Sequence, residues 1–311
     1  MTRRNGLNGG RFAAPQLTVR SASIALVCGG ALWGLYWIPV RMFHDAGLRG
    51  PWPGIAMYAA ALIVLTPALW SQRHGVFKNW RILFYSGLFT GAAFSLFTTS
   101  LVYTDVVRSI LLFYLTPIWG TLLGLVFLGE RVTLGRLMGL AAGLAGLFVV
   151  LGGSGQAPWP RNVGDWLALC SGVTWAFGTL GLYQTKDTTV TGQIGAFLVG
   201  ALLISAITLG INPEGTAVSV ARLASWPVLP LAVLSAIYIL PMIFLTIWPA
   251  TMLTPARVGL LLMSEVVVGL ISAALFAGEP FGAREAFGAL LIVSAALIEV
   301  LRGGETADHV R

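Results

Sequence analysis

One carboxylate stands out in a chain that carries very little charge. Glu265 lies within an apolar run, eight residues past Arg257, or about 12 Å along a helix at roughly 1.5 Å per residue. It is the one acidic residue that the sequence places well inside a membrane span. A charged group at that depth costs roughly 2.5–3.5 kcal/mol on insertion scales and is by default functional. Glu265 can meet a substrate ammonium or carry a proton; the competing role is to accept hydrogen bonds from a neighbouring helix and lock the packing. Aromatic residues in other apolar runs, Trp33, Tyr36, Phe113, Tyr114, Trp175 and Tyr238, can wall a cavity together with Met263. Ser95 and Thr98, one helical turn apart, add hydroxyls. Few charges among many aromatic walls suit a neutral or zwitterionic, partly apolar ligand. Pro117 interrupts an apolar run and frees a backbone carbonyl, which makes it the leading hinge; Pro241 and Pro249 are further kink candidates.

Other chemistries lack their groups. His44, His74 and His309 all fall in loops or the tail, and no Ser–His pair, metal cluster or carboxylate dyad occurs within the apolar runs. An enzyme is therefore not expected, nor a cofactor or metal. A channel would need a selectivity-filter loop or a ring of charge. Arg41 and Arg108 close the outer ends of two runs, where they can draw a carboxylate or snorkel to headgroups, the latter being the ordinary behaviour.

The scaffold that must position these residues is a membrane one. Of the 311 residues 57% are hydrophobic and 10% charged, against about 25% charged in soluble domains. Mean hydropathy is +0.83. Spans of about 20 apolar residues are expected near 21–43, 54–71, 80–101, 106–129, 134–153, 164–185, 190–211, 226–250, 257–278 and 283–302. The net charge of +7 gives no reason to expect nucleic acid, because membrane proteins collect Lys and Arg on the cytoplasmic side. With the N-terminus inside, 13 basic residues fall on the cytoplasmic side and 6 on the other. Both termini are thus expected in the cytoplasm. Trp52, Trp80, Trp159, Trp166 and Trp226 lie at span ends and read as interfacial belts. Cys28 and Cys170 read as small packing residues, as do the glycine pairs Gly87/Gly91 and Gly120/Gly124. Nothing in the sequence signals an obligate protein partner; the lipid bilayer and a small-molecule substrate are the partners expected.

The chain also repeats itself. Arg108 to Gly139 aligns without a gap to Arg257 to Gly288, 149 residues on, so that Gly129-Glu130 falls on Gly278-Glu279. Earlier in each half, Cys28-x-Gly30-x-x-Trp33 matches Cys170-x-Gly172-x-x-Trp175 at an offset of 142. The expected organisation is a basic tail (1–20), a first five-helix repeat (21–153), a second (154–302) and a cytoplasmic tail (303–311). Five spans per repeat is an odd number, so the second copy enters the membrane from the opposite side. The expected fold is an all-α membrane protein of about ten transmembrane helices, arranged as two inverted five-helix repeats, with a site at the midplane between them. Pro117 has Val266 as its counterpart, so the second copy is expected to lack the bend.

Trp33-Gly34, Pro117, Leu128-Gly129-Glu130, Gly139, Glu265, Gly278-Glu279 and the run from Gly288 resemble the EamA-like families of the drug/metabolite transporter superfamily. Among these, the density of Trp, Tyr and Phe in the spans is most similar to that of the bacterial aromatic amino acid exporters. The resemblance implies a secondary transporter of the bacterial inner membrane that exports amino acids and related metabolites by alternating access; other small metabolites or aromatic cationic drugs are the alternative.

The topology is checked by impermeant labelling of single cysteines at Asn5, Gly50 and His309 in intact cells. Only the cysteine at position 50 is expected to react; labelling of either terminus would overturn the arrangement.

Overall fold

The computed structural model describes residues 19–127, 129, 134–151, 159–184, 188–211, 216–253, 255–278 and 281–302, and all regular structure among them is helical. Most of the basic and C-terminal tails, together with Glu130 and Glu279, therefore lie outside the described residues. Eight helical segments are long and apolar enough to cross a membrane. The chain is a multi-pass membrane protein.

The first segment is α1 (Val19–Trp33) and α2 (Trp37–Asp45), broken between them. Next come α3 (Trp52–Ser71), the short α4 (Arg73–Lys78) and α5 (Trp80–Tyr103). The fourth span is also broken, into α6 (Val106–Phe113) and α7 (Thr116–Phe127). After α8 (Leu134–Leu151) the second half runs α9 (Val163–Gln184), α10 (Val190–Ile211), the short α11 (Thr216–Leu223) and α12 (Val228–Ala250). The ninth span breaks into α13 (Pro255–Leu261) and α14 (Ser264–Ser272), with a π-helical turn at Ala273–Ala277, and α15 (Ala283–Arg302) ends the described chain. The short helices α4 and α11 had no signal in the hydrophobic pattern. Within α12 the helix continues through both Pro241 and Pro249.

The bundle is built on close pairs. Helix α5 lies between α9 and α10, and α3 packs on α10 and α12. Helix α1 lies against α12 and α14, the α6–α7 span against α9, and α8 against α15. With no hydrophobic force between helices in lipid, such pairs depend on dispersion at short range, which requires small residues at the crossing. A Cβ on Gly91 would collide with the backbone of Phe197, Gly200 and Ala201, and one on Gly87 with the backbone of Ala196. The expectation for this pair is met. Gly120, by contrast, has nothing within 4 Å of a Cβ and is not a contact glycine. Cys28 and Cys170 are exposed on the bundle surface and pack nothing inside. Trp80, Trp159, Trp166 and Trp226 are exposed as a belt requires, but Trp52 packs against the core.

The duplicated stretch leaves matched features. Gly129 and Gly278 both adopt left-handed backbone, φ +63° and +67°, where a residue with a Cβ is strained. Gly172 approaches the carbonyl of Phe113, and Gly30 that of Leu262; these are the same pair of positions at the two sequence offsets. The most informative match corrects an expectation. The ninth span bends without a proline, at Leu262–Met263, within a residue of the counterpart of the Tyr114–Leu115 break. There the amides of Glu265 and Val266 turn to the carbonyls three residues back, Leu262 and Met263 (2.9 and 3.0 Å). Val266 does not straighten the helix, because the bend is held by tertiary partners.

The glycine contrast is testable by thermal unfolding in detergent. Gly91→Ala is expected to cost about 1–3 kcal/mol through overpacking, whereas Gly120→Ala is expected to be neutral or slightly stabilising. Equal effects would overturn the assignment. Gly50 itself holds φ +54°, so the exposed Arg49 beside it is the better labelling position.

Candidate functional site

The three breaks meet near the middle of the bundle, and at each a side-chain hydroxyl replaces or joins the backbone amide at a carbonyl, since lipid supplies no water. At the fourth span, Pro117 has no N–H for Phe113; the Thr116 hydroxyl donates to that carbonyl instead (2.5 Å). At the ninth, the Leu262 carbonyl accepts from the Tyr114 hydroxyl (2.5 Å). At the first, the Tyr238 hydroxyl donates to the Leu32 carbonyl and the Ser272 hydroxyl to that of Gly34 (3.1 Å). A Cβ on Gly34 would lie 2.8 Å from the Glu265 carbonyl, so a glycine is needed for the first and ninth spans to touch here.

Glu265 is 2% exposed. Its Oε2 lies 2.7 Å from the Tyr114 hydroxyl, and its Oε1 has no hydrogen-bond partner. Tyr114 thus faces two acceptors, Leu262 O and Glu265 Oε2, with one hydroxyl hydrogen to give. Tyr114 donates to Glu265 Oε2, and a protonated Glu265 can instead donate to the phenol while the phenol donates to Leu262. With the carboxylate ionised, the phenol hydrogen goes to Glu265 and the Leu262 carbonyl keeps the Glu265 amide (2.9 Å). The site can therefore hold a proton, and it presents an unused carboxyl oxygen.

Aromatic rings continue from this point. Phe113 lies edge-on to Tyr114, with ring centroids 5.3 Å apart. Phe94 is the hub: Trp33 stacks on it at 3.9 Å, and Trp175, Phe197 and Phe113 lie at 5.1, 5.2 and 6.3 Å. Tyr36, edge-on to Trp33 at 4.9 Å, closes a ring of hydroxyls with Tyr58 and Thr98, with separations of 2.9, 2.8 and 2.5 Å. Trp33 donates its indole N–H to Thr246 (2.8 Å), whereas the indole nitrogen of Trp175, fully buried, has no partner. Met263 sits in the ninth-span break itself. The structure thus links Trp33, Tyr36, Thr98, Phe113, Tyr114, Trp175 and Glu265 through direct contacts, with Tyr238 joined to the first-span break. Ser95 is not among them: it bonds Ser205 across the α5–α10 contact (2.8 Å). Tyr58, Phe94, Phe197, Thr246 and Ser272 had no signal in spacing. Phe94 lies one turn before Thr98, and that turn was the available clue.

A second buried carboxylate lies at a helix end, away from the Glu265 centre. Asp165, in the first turn of α9, is fully buried and pairs with Arg108 (2.5 Å). It also accepts from Thr104 (2.8 Å) and from the Arg161 amide (2.9 Å). Arg108 therefore does not snorkel. At the matching position of the other half the counterpart of Asp165 is Ser23, and Arg257 reaches its hydroxyl at 3.3 Å while the Arg257 Nε has no hydrogen-bond partner. Arg41 contacts the Thr104 carbonyl (3.4 Å). Among the described residues no group of three or more His, Cys, Asp and Glu is placed to hold a metal.

Comparison with known proteins agrees with this architecture. Residues 20–152 match the profile of the EamA-like transporter family. The first half is thus similar to an EamA-like domain, a likeness that supports the drug/metabolite transporter superfamily and a membrane transporter of small molecules. A solved structure described only as the crystal structure of a protein superposes with a TM-score of 0.66, covering 91% of this chain and 98% of that one. At 16% identity it speaks for the fold alone. No curated protein matches the chain.

The Arg108–Asp165 pair yields a double-mutant test. Asp165→Asn leaves Arg108, only 13% exposed, without its counter-charge, and is expected to cost about 3 kcal/mol. Arg108→Gln with Asp165→Asn should lose no more than either single change; additive losses in detergent unfolding would show that the two act independently.

Proposed function

We propose that the chain is a secondary transporter that exports aromatic and other partly apolar amino acids, and related metabolites, across the inner membrane. On this reading it has ten spans in two inverted five-helix repeats, with both termini cytoplasmic, and works by alternating access. The observation that carries the proposal is a buried carboxyl, Glu265, with one oxygen unused, set at a double helix break beside a cluster of aromatic rings. Broken helices at the midplane are where inverted-repeat carriers hold substrate.

The roles follow from the chemistry. The free Oε1 of Glu265 meets a substrate ammonium as the carboxyl releases its proton. The rings of Trp33, Phe113, Tyr114 and Trp175 take the apolar side chain, with Met263 and Tyr238 at the margins. Tyr36 and Thr98 hold the ring positions from behind, and the unpartnered Trp175 N–H is available to a substrate acceptor. Ser95 acts, on this reading, through helix packing. One proton given up per ammonium bound would couple efflux to the proton gradient. An aromatic cation without a carboxylate satisfies the same carboxyl and rings, so a cationic drug is the second reading.

Proteoliposome flux tests this. Phenylalanine and tryptophan should move with saturable kinetics, and 3-phenylpropionate, which lacks the ammonium, should not compete. Movement of a sugar phosphate or nucleotide sugar, but of neither amino acid, would overturn the substrate class. Glu265→Gln is expected to weaken binding about 10- to 100-fold, the range for a hydrogen bond to a charged group, and to flatten the dependence of flux on pH. Wild-type affinity and pH profile in that variant would reduce Glu265 to a packing residue.

Pro117 is proposed as the hinge. Pro117→Ala restores an N–H opposite the Phe113 carbonyl, in competition with Thr116. It is expected to slow flux several-fold with little change in melting temperature; unchanged flux with lost stability would reverse the assignment.

A further inference from the structure

Away from the centre, a groove of about 420 Å³ opens on the outer surface of the bundle between α3, α4, α5 and α10. That is within the roughly 300–1,000 Å³ of ligand pockets. Gly192, Gly195 and Gly200 of α10 line its inner side, where α10 packs closely on its neighbours. Its walls are apolar, and its rim carries three large exposed aromatics, Trp70 (69%), Phe77 (73%) and Trp80 (56%).

The rim is also basic. Arg73 lines the groove and lies 5.3 Å over the ring of Trp70; Arg81 lies 5.6 Å over that of Trp80. Lys78 closes α4 between them. No Asp or Glu occurs in α3, α4, α5 or α10, so the elements that form the groove supply no counter-charge. Tryptophans at helix ends mark the height of the headgroups. An apolar slot running into the membrane from a basic, aromatic rim is thus complementary to a molecule with a phosphate at one end and a hydrocarbon chain at the other. A second copy of this chain fits less well, because a two-fold contact across the groove would set the same cations against each other.

We propose that this groove binds an anionic phospholipid, its acyl chain lying along α10 between α3 and α5 and its headgroup phosphate held by Arg73, Lys78 and Arg81. The site is separate from the Glu265 centre and does not depend on what is transported.

Native mass spectrometry of the full chain in detergent, titrated with phosphatidylglycerol or phosphatidylcholine of identical chains, tests it. Phosphatidylglycerol should be retained in preference. Replacing Arg73, Lys78 and Arg81 by Gln should lower that preference by about fivefold for each basic side chain removed. Val199→Trp with Leu203→Trp, at exposed positions in the groove, should fill the slot and weaken both lipids without changing the melting temperature. Glycerol phosphate, which has no acyl chain, should not compete. Equal retention of the two lipids, a preference that survives the triple Gln variant, or competition by glycerol phosphate would overturn the proposal. So would a two-chain mass that the tryptophan variant disperses, since the groove would then be a contact between copies.

Discussion

A carbonyl released from its helix inside a bilayer has no water to turn to, and this protein releases several of them at one level. Phe113 and Gly34 take a hydroxyl where a helical amide is lost, while Leu262 and Leu32 keep an amide from three residues on and take a hydroxyl as well. Thr116 answers Phe113, Tyr114 answers Leu262, Tyr238 answers Leu32 and Ser272 answers Gly34. Where helices may break is therefore a question of where donors can be brought, and the donors here come largely from the other half of the chain. The breaks and the packing of the two halves are a single structural fact.

This dependence explains why the centre is crowded with small and hydroxylated residues beside large rings. Gly30, Gly34 and Gly172 bring backbones within reach of the freed carbonyls. The rings then fill the volume that bent helices leave, which straight cylinders would not. Glu265 is held in place by the same arrangement, since Tyr114 bridges the bend in the ninth span and the carboxyl at once. A change at Tyr114 would be felt in the backbone as well as in the site.

Much of this was legible in the sequence. Apolar run lengths give the spans, and the repeated Gly-Glu ends anticipate the two left-handed glycines, Gly129 and Gly278. Glu265 announces itself by its cost. What pattern reading missed was missed for physical reasons. A proline rule finds the break before Pro117 but not the one at Leu262–Met263, because that break is enforced by a phenol 148 residues away in sequence. Asp165 falls at the start of an expected span, and nothing in spacing marks it; only the fold shows Arg108, Thr104 and a backbone amide converging on it. Ser95 and Thr98 lie on one helix three residues apart, yet the rotation between them sends one to α10 and the other to the tyrosines. Cys28 and Cys170 were misread because a repeated position need not be an interior one.

The two halves are not equal where their ends meet. At one end an arginine holds a buried carboxylate, Arg108 with Asp165; at the matching place in the other half Arg257, among the described residues, reaches the hydroxyl of Ser23 instead. A duplicated scaffold whose halves were identical would be degenerate, with no reason to rest facing one side rather than the other. Parting a guanidinium from a carboxylate exposes two charges, whereas parting it from a serine exposes one that was never neutralised. On the alternating-access reading proposed above, that difference would lift the degeneracy. On that reading one difference between the copies, carboxylate against hydroxyl, gives the two faces unequal costs of opening.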